Sequence, residues 1–251
     1  MKTTIANPAF AKTAFTKKRL RGAAQRGQQA VEFLLVAIVF IPALMGMFIV
    51  GWNMIRTIQT KEVVRDLDSL YIKGTDFSTY PAQQLAQRLA SGLDLQMPSF
   101  SGNSASNTAA AGSGIIIITQ LMYVGATTGG QCASVGAANC TNHDSFVFTQ
   151  RIEFGSSTWL GTHPSSLGEY GGSGSTALSS QGAVPTPLTN TNAKLSAAGQ
   201  GVLNSDFQSN NAGQTDIVDG QYIYVVEGYF DTPAFSLGNL TSQGVYSRFY
   251  F

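Results

Sequence analysis

The chain has 251 residues, 43% hydrophobic and only 12% charged, which excludes a disordered or fibrous protein and allows one substantial core. A formal net charge of +1 argues against a nucleic-acid surface. The charge is uneven along the chain: seven basic residues (Lys2, Lys12, Lys17, Lys18, Arg19, Arg21, Arg26) and no acid precede Glu32, whereas from Gln28 onward 8 basic and 14 acidic side chains leave −6.

The first element in chain order is the run Phe33 to Ile55 (FLLVAIVFIPALMGMFIVGWNMI), 23 residues without a charge. At ~1.5 Å per residue a helix of that length covers a ~30 Å hydrocarbon core. Lys and Arg crowd its N-terminal flank, while Arg56, Lys61, Glu62, Arg65, Asp66 and Asp68 mix signs on the other, so the positive-inside rule puts the N-terminus in the cytoplasm. A cleavable secretory signal needs a shorter apolar region and a small-residue cleavage site, which Gly51-Trp52-Asn53-Met54 does not supply. Pro42 falls inside the span and predicts a bend near Ile38 to Pro42. Gly46 and Gly51 are five apart, so no GxxxG pairing motif is present.

Glu32 stands at the mouth of the span, where a carboxylate costs free energy unless it is paired or hydrated. Upstream lies Arg26-Gly27-Gln28-Gln29-Ala30-Val31-Glu32-Phe33. Cleavage after Gly27 makes Gln28 residue one, Glu32 residue five and Phe33 residue six. With the basic leader, this resembles the prepilin-peptidase signature of the type IV pilin superfamily, and the segment is most similar to the TadE-like pseudopilins of tight-adherence (Tad) pilus systems. The specific part of the resemblance covers residues 17–56. The spacing also has a physical reading: a new α-amine on Gln28 adds to the positive end of the helix dipole, and Glu32 neutralises it one turn away or on a neighbouring subunit. The plainer reading is that Glu32 sits hydrated at the headgroup level.

Beyond the membrane, Met54, Ile55, Ile58, Val63, Val64, Leu67, Leu70 and Tyr71 recur at helical spacing, which continues the helix from Gln28 to Ile72. A second helix is predicted from Pro81 to Ser91, with Leu85 and Leu89 on one face and Gly92 as its end. Residues 101–114 read as a low-complexity linker. Ile115 to Val124 then reads as a central strand. Phe146, Phe148, Ile152 and Phe154 alternate with Val147, Thr149, Arg151 and Glu153, the pattern of a half-buried antiparallel strand. Gln221 to Phe230, opened by the Asp219-Gly220 turn, and Val245 to Phe251 supply two more strands. Ser156 to Asp216 is predicted as irregular loops with a short helix near Ala193 to Leu203. Cys132 and Cys140 are the only cysteines. In an exported domain they read as a disulfide, in a reducing cytosol as two thiols.

Little chemistry is legible. His143 and His163 are the only histidines, and neither has a partner at metal-ligand spacing; both read as surface-loop residues. Gly168 to Ser175 (GEYGGSGS) lacks the Lys-Ser/Thr and helix of a phosphate loop and reads as a flexible loop. Tyr222, Tyr224, Tyr229, Phe249 and Phe251 read as core and cross-strand pairs rather than a ligand platform.

The expected organisation is a basic cytoplasmic leader (1–27), a transmembrane helix (28–56) and an exported domain with Gly/Ser-rich loops (57–251). The fold expected is α+β, a long N-terminal helix packed on a three- to four-stranded antiparallel sheet. The resemblance implies a minor subunit or assembly factor of a Tad-type pilus, cut at Gly27-Gln28 by prepilin peptidase. Glu32 and Phe33 would serve recognition and assembly. The implied place is the bacterial inner membrane, single-pass, with the C-terminal domain periplasmic or extracellular. Other pilins or pseudopilins and the assembly platform would be partners; no cofactor, nucleic acid or catalysis is expected. The alternative is a single-pass anchored adhesin or ligand-binding module that uses the helix only as a tether.

Overall fold

The structure is a computed structural model that describes residues 17–126, 129–207, 217–231 and 244–251, with side chains from residue 29 onward. The chain divides into two compact units, Met1–Trp52 and Asn53–Phe251. Helix α1 runs over Lys17–Ile72. It begins eleven residues before the expected Gln28, because Lys, Arg, Leu, Ala and Gln dominate residues 17–28 and favour helix. The helix continues through Pro42. The first unit carries its apolar side chains on the outside: Phe33, Val39 and Met47 are 74%, 71% and 73% exposed.

In the second unit the apolar stripe of α1 is covered. Val63, Val64, Leu67 and Tyr71 are buried with Phe77, Ile116, Ile118, Ile152, Phe154, Val226 and Phe230 in one core, each large side chain contributing about 1.5–3 kcal/mol. The helix ends at Gly74, whose φ of 90° suits glycine, and the Thr75 N–H donates to Leu70 O at 3.0 Å to close the last turn. Helix α2, Tyr80–Leu89, has Pro in its first turn. Its buried residues are Ala82, Gln83 and Ala86. The predicted Leu85/Leu89 face is the outer one, 40% and 39% exposed; the packed face instead carries Ala82, Ala86 and Gln83, whose amide bonds Phe77 O and Asn107.

A five-stranded sheet follows: β1 Ser106–Ala109, β2 Gly114–Val124, β3 Ser145–Ser156, β4 Tyr222–Phe230 and β5 Val245–Tyr250, in the order β1-β3-β2-β4-β5. The expected three- to four-stranded antiparallel sheet is therefore corrected to a mixed sheet. The extra strand, β1, pairs parallel to β3 from Ser106↔Glu153 to Ala109↔Ser156. It lies inside the supposed linker 101–114. Its sequence SNTA has no hydrophobic alternation, and polar bonds fix it instead: the Asn107 Nδ2 donates to Gln83 Oε1 at 2.7 Å and to Pro98 O at 3.0 Å.

One face of the sheet receives α1. Ile118 sits between Ile152 and Val226, and Ile116 between Phe154 and Gly228. Gly228 is required by that approach, since a Cβ there would stand 2.5 Å from Val64 Cγ2. The alternation expected along β3 breaks at its middle. The pairing shifts between Gln120 and Leu121, leaving Thr149 as an extra residue between Phe148 and Gln150. This bulge reverses the facing: Ile152 and Phe154 join the core under α1, whereas Phe146 and Phe148 join a second core. Nor is β3 half-buried, since Arg151 is 1% exposed.

The second face is covered by the chain between β3 and β4. Helix α3 (Gly130–Ala133) lies in the β2–β3 connection, and α4 (Ser157–Thr162) and α5 (Ala197–Asp206) follow β3. Helix α5 starts at Ser196, whose Oγ accepts from Gly199 N at 3.2 Å, slightly later than the helix expected near Ala193. Despite their Gly and Ser content these segments bury Leu167, Val184, Ala193, Leu195 and Leu203 against Leu121, Phe148, Ile223 and Val225. Gly182, at φ 77°, lets the loop touch β3: its carbonyl accepts from Arg151 N at 2.8 Å while its own N–H donates to Ser179 O at 2.8 Å. Cys132 and Cys140 are joined in a disulfide. Asp219 fastens that loop to the start of β4 by accepting from Gly125 N at 2.6 Å and Gln131 N at 2.7 Å.

Candidate functional site

Four sequence-selected residues lie on one helix. Gly27 and Gln28 have helical backbone, and one turn on stand Glu32 and Phe33, both exposed. From Phe33 to Ile58 the apolar side chains Leu34, Leu35, Val36, Ile38, Phe40, Ile41 and Phe48 are all more than half exposed. An 18-residue stretch within Gln29–Ile72 reaches a mean hydropathy of 2.8 and is 0% buried. By length and composition this is a helix able to serve as a membrane anchor or a signal sequence. The other sequence-selected pair, Cys132 and Cys140, closes a loop at the far end of β2 and has no contact with a chemical site.

Sequence reasoning did not find the polar layer on the second face of the sheet. Arg151 on β3 donates from Nε to Glu153 Oε1 at 2.9 Å, from Nη1 to Thr119 Oγ1 at 3.3 Å and from Nη2 to Glu169 Oε2 at 3.4 Å. Two strands away, Glu227 is 2% exposed. It accepts from Ser166 Oγ at 2.7 Å, Ser166 N at 3.2 Å and the hydroxyls of Ser165 and Tyr246. Arg248 bonds Ser166 Oγ and reaches Asp206 Oδ2 at 3.2 Å. The Tyr246 hydroxyl is held above the usual phenol range by burial and then by the Glu227 carboxylate. Every one of these carboxylates and guanidinium groups is matched, so the layer ties β3, β4, β5 and the 165–169 loop together. The only sequence signal was Arg151-x-Glu153 at strand period, which reads as readily as a solvated face.

A second feature missed by pattern lies on α1. Asp68 is 3% exposed and its Oδ1 has no hydrogen-bond partner; burial pushes its carboxyl up to about 6. In the sequence it stands only as one of the mixed charges that flank the apolar span.

The histidines divide. His143 is exposed, with Nδ1 3.0 Å from Asp144 Oδ2, whereas His163 stacks on Tyr229 with ring centroids 3.6 Å apart, so it is a packed residue rather than a plain surface one. Among the described residues no three His, Cys, Asp or Glu side chains gather as a metal site. The Gly168 to Ser175 loop is closed on itself through Tyr170, whose hydroxyl donates to Thr176 O and accepts from Asn190 Nδ2 at 2.9 Å. Of the aromatic strand residues, Tyr224 packs edge-on against Tyr71 and Tyr229 is buried, but Tyr222 and Phe251 are 48% and 75% exposed.

No family model, curated protein or solved structure matches this chain. The long apolar helix followed by a mixed α/β domain is consistent with a pilin-like fold, and the reading of its function rests on the chain's own residues.

Proposed function

We propose that this chain is an assembly pseudopilin, a minor subunit or assembly factor of a Tad-type pilus. The carrying observation is the placement of Gly27, Gln28, Glu32 and Phe33 in one continuous helix that leads into an exposed, uncharged run of 23 residues. In this reading a membrane prepilin peptidase cuts after Gly27. The helix from Gln28 remains in the bacterial inner membrane with its N-terminus cytoplasmic and the second unit outside. The 8 basic and 14 acidic residues that remain include Glu32, set four residues from the new amine. A carboxylate and an ammonium both poorly solvated at the membrane edge attract strongly, and pairing Glu32 with the amine of a neighbouring pilin or pseudopilin fixes helix register. The disulfide supports export, since bridges persist in oxidising compartments. The second unit, 199 residues by its bounds, is bulky beside one helix and suits a minor subunit recruited by the assembly platform.

Glu32→Val tests the pairing. The variant should be processed at the wild-type rate, while its recovery with the assembled pilus fraction drops about a hundredfold or more, the loss expected when one partner of a desolvated pair is removed. Recovery at the wild-type level removes Glu32 from assembly and leaves the helix a tether.

A further inference from the structure

Immediately beyond the apolar span, α1 presents two charged rows and the second unit presents a groove. Lys61 and Arg65 form one row with Ile58, and Glu62 and Asp66 form another; all five are exposed. Successive positions turn by about 100° around a helix, so the rows lie on adjacent sides. The acidic row lines a groove of about 300 Å³ together with Gln59, Val63, Leu89, Ser91, Gly92 and Leu93, where α1 meets the end of α2. Within the chain the charges satisfy one another poorly: Arg65 Nε approaches Asp66 Oδ1 only to 4.0 Å, with both side chains more than half exposed. The groove has an apolar lip in Leu89, and the basic row has an apolar companion in Ile58 that is 56% exposed.

We infer that the Ile58/Lys61/Arg65 ridge of one copy seats in the Gln59/Glu62/Asp66/Leu89 groove of a second copy, side by side and parallel in the membrane. The occupant follows from charge complementarity and from height. Copies anchored by the same span, a premise taken from the membrane reading above, hold residues 58–66 at one level, ~5–17 Å past Ile55. Lys61 then faces Glu62, and Arg65 faces Asp66, with an offset of one residue or ~1.5 Å. The shared membrane orientation, and not the charges, excludes an antiparallel partner, and a parallel copy displaced by a turn keeps only one of the two pairs. Ridge and groove occupy different sides of the molecule, so the contact between the two copies is heterologous. Exposed ion pairs are weak singly, and confinement to a membrane supplies the effective concentration that makes them count. Arg88, on the last turn of α2, adds a like charge near the groove and disfavours a deeper seating.

The test uses the full chain in membranes, with a photo-cross-linking residue at Gln59. One variant carries Glu62→Lys and Asp66→Lys, the other Lys61→Glu and Arg65→Glu; all four sites are exposed, so folding is not at stake. Each variant alone should give a dimer yield about fivefold below wild type, the combined weight of two exposed pairs. Expressing the two variants together should restore the yield. Raising the salt should lower the wild-type yield toward that of the single variants. Wild-type yield from either variant alone, or a mixture that restores nothing, overturns the inference. Cross-links only to a different protein overturn it as well. Extraction of the chain by alkaline carbonate instead refutes the anchor reading, a failure visible before any cross-link is scored.

Discussion

Asp68→Asn is the substitution whose consequence the structure fixes best. The carboxyl is buried on α1 with Oδ1 unpartnered, and burial raises it from 3.8 to about 6. A folded-state pKa above the unfolded one means that the folded chain binds the proton more tightly. The contribution of this group is then fully present below about pH 4 and is lost as pH rises through 6. Two units correspond to about 3 kcal/mol at most, and residual solvation brings the expected loss to about 1–3 kcal/mol. An asparagine keeps the shape and does not ionise. Urea unfolding of the full chain in mild detergent, read by Trp159 fluorescence between pH 4 and 7.5, should show the variant gaining about 1–3 kcal/mol on wild type as pH rises. Curves that stay parallel across that range refute a buried, uncompensated Asp68.

Removing the bridge by Cys132→Ser with Cys140→Ser should cost about 2–3 kcal/mol for so short a loop; reduced wild type should unfold at the same urea concentration as the double variant. Gly228→Val places a side chain where Val64 Cγ2 lies 2.5 Å from a Cβ and should destabilise by about 1–3 kcal/mol or more, with a lowered melting temperature. Glu227→Ala strips the acceptor from Ser165, Ser166 and Tyr246. It should cost about 3 kcal/mol, and amide exchange in β5 should accelerate before exchange in β2.

The long helix and four of the strands are legible because each rests on a local period, such as the heptad-like spacing through Val63, Val64, Leu67 and Tyr71, the run Ile115 to Val124, and the aromatic alternation of Tyr222 to Phe230; α2 is legible from Pro81 and Gly92 near its ends, not from Leu85 and Leu89, which face outward. What escaped depends on distant partners. Strand β1 is held by Asn107 bonding Gln83 and Pro98, and nothing in SNTA announces those residues. The bulge at Thr149 is invisible in the alternation of β3, because register is a property of the pair β2/β3. Arg151 and Glu227 have the composition of a solvated face and become buried only because a Gly- and Ser-rich segment folds back over them. The processing segment is the reverse case. Gly27, Gln28, Glu32 and Phe33 lie within seven residues of one another and need no tertiary structure to be recognised, so the proposed function rests on residues that the sequence alone displays.

The mature N-terminus tests the central claim most directly. Intact mass and N-terminal sequencing of the chain recovered from bacterial inner membranes that contain prepilin peptidase should find Gln28 as the first residue, with Glu32 fifth and Phe33 sixth. A chain that still begins at Met1, or one cut beyond residue 50, contradicts the assembly reading.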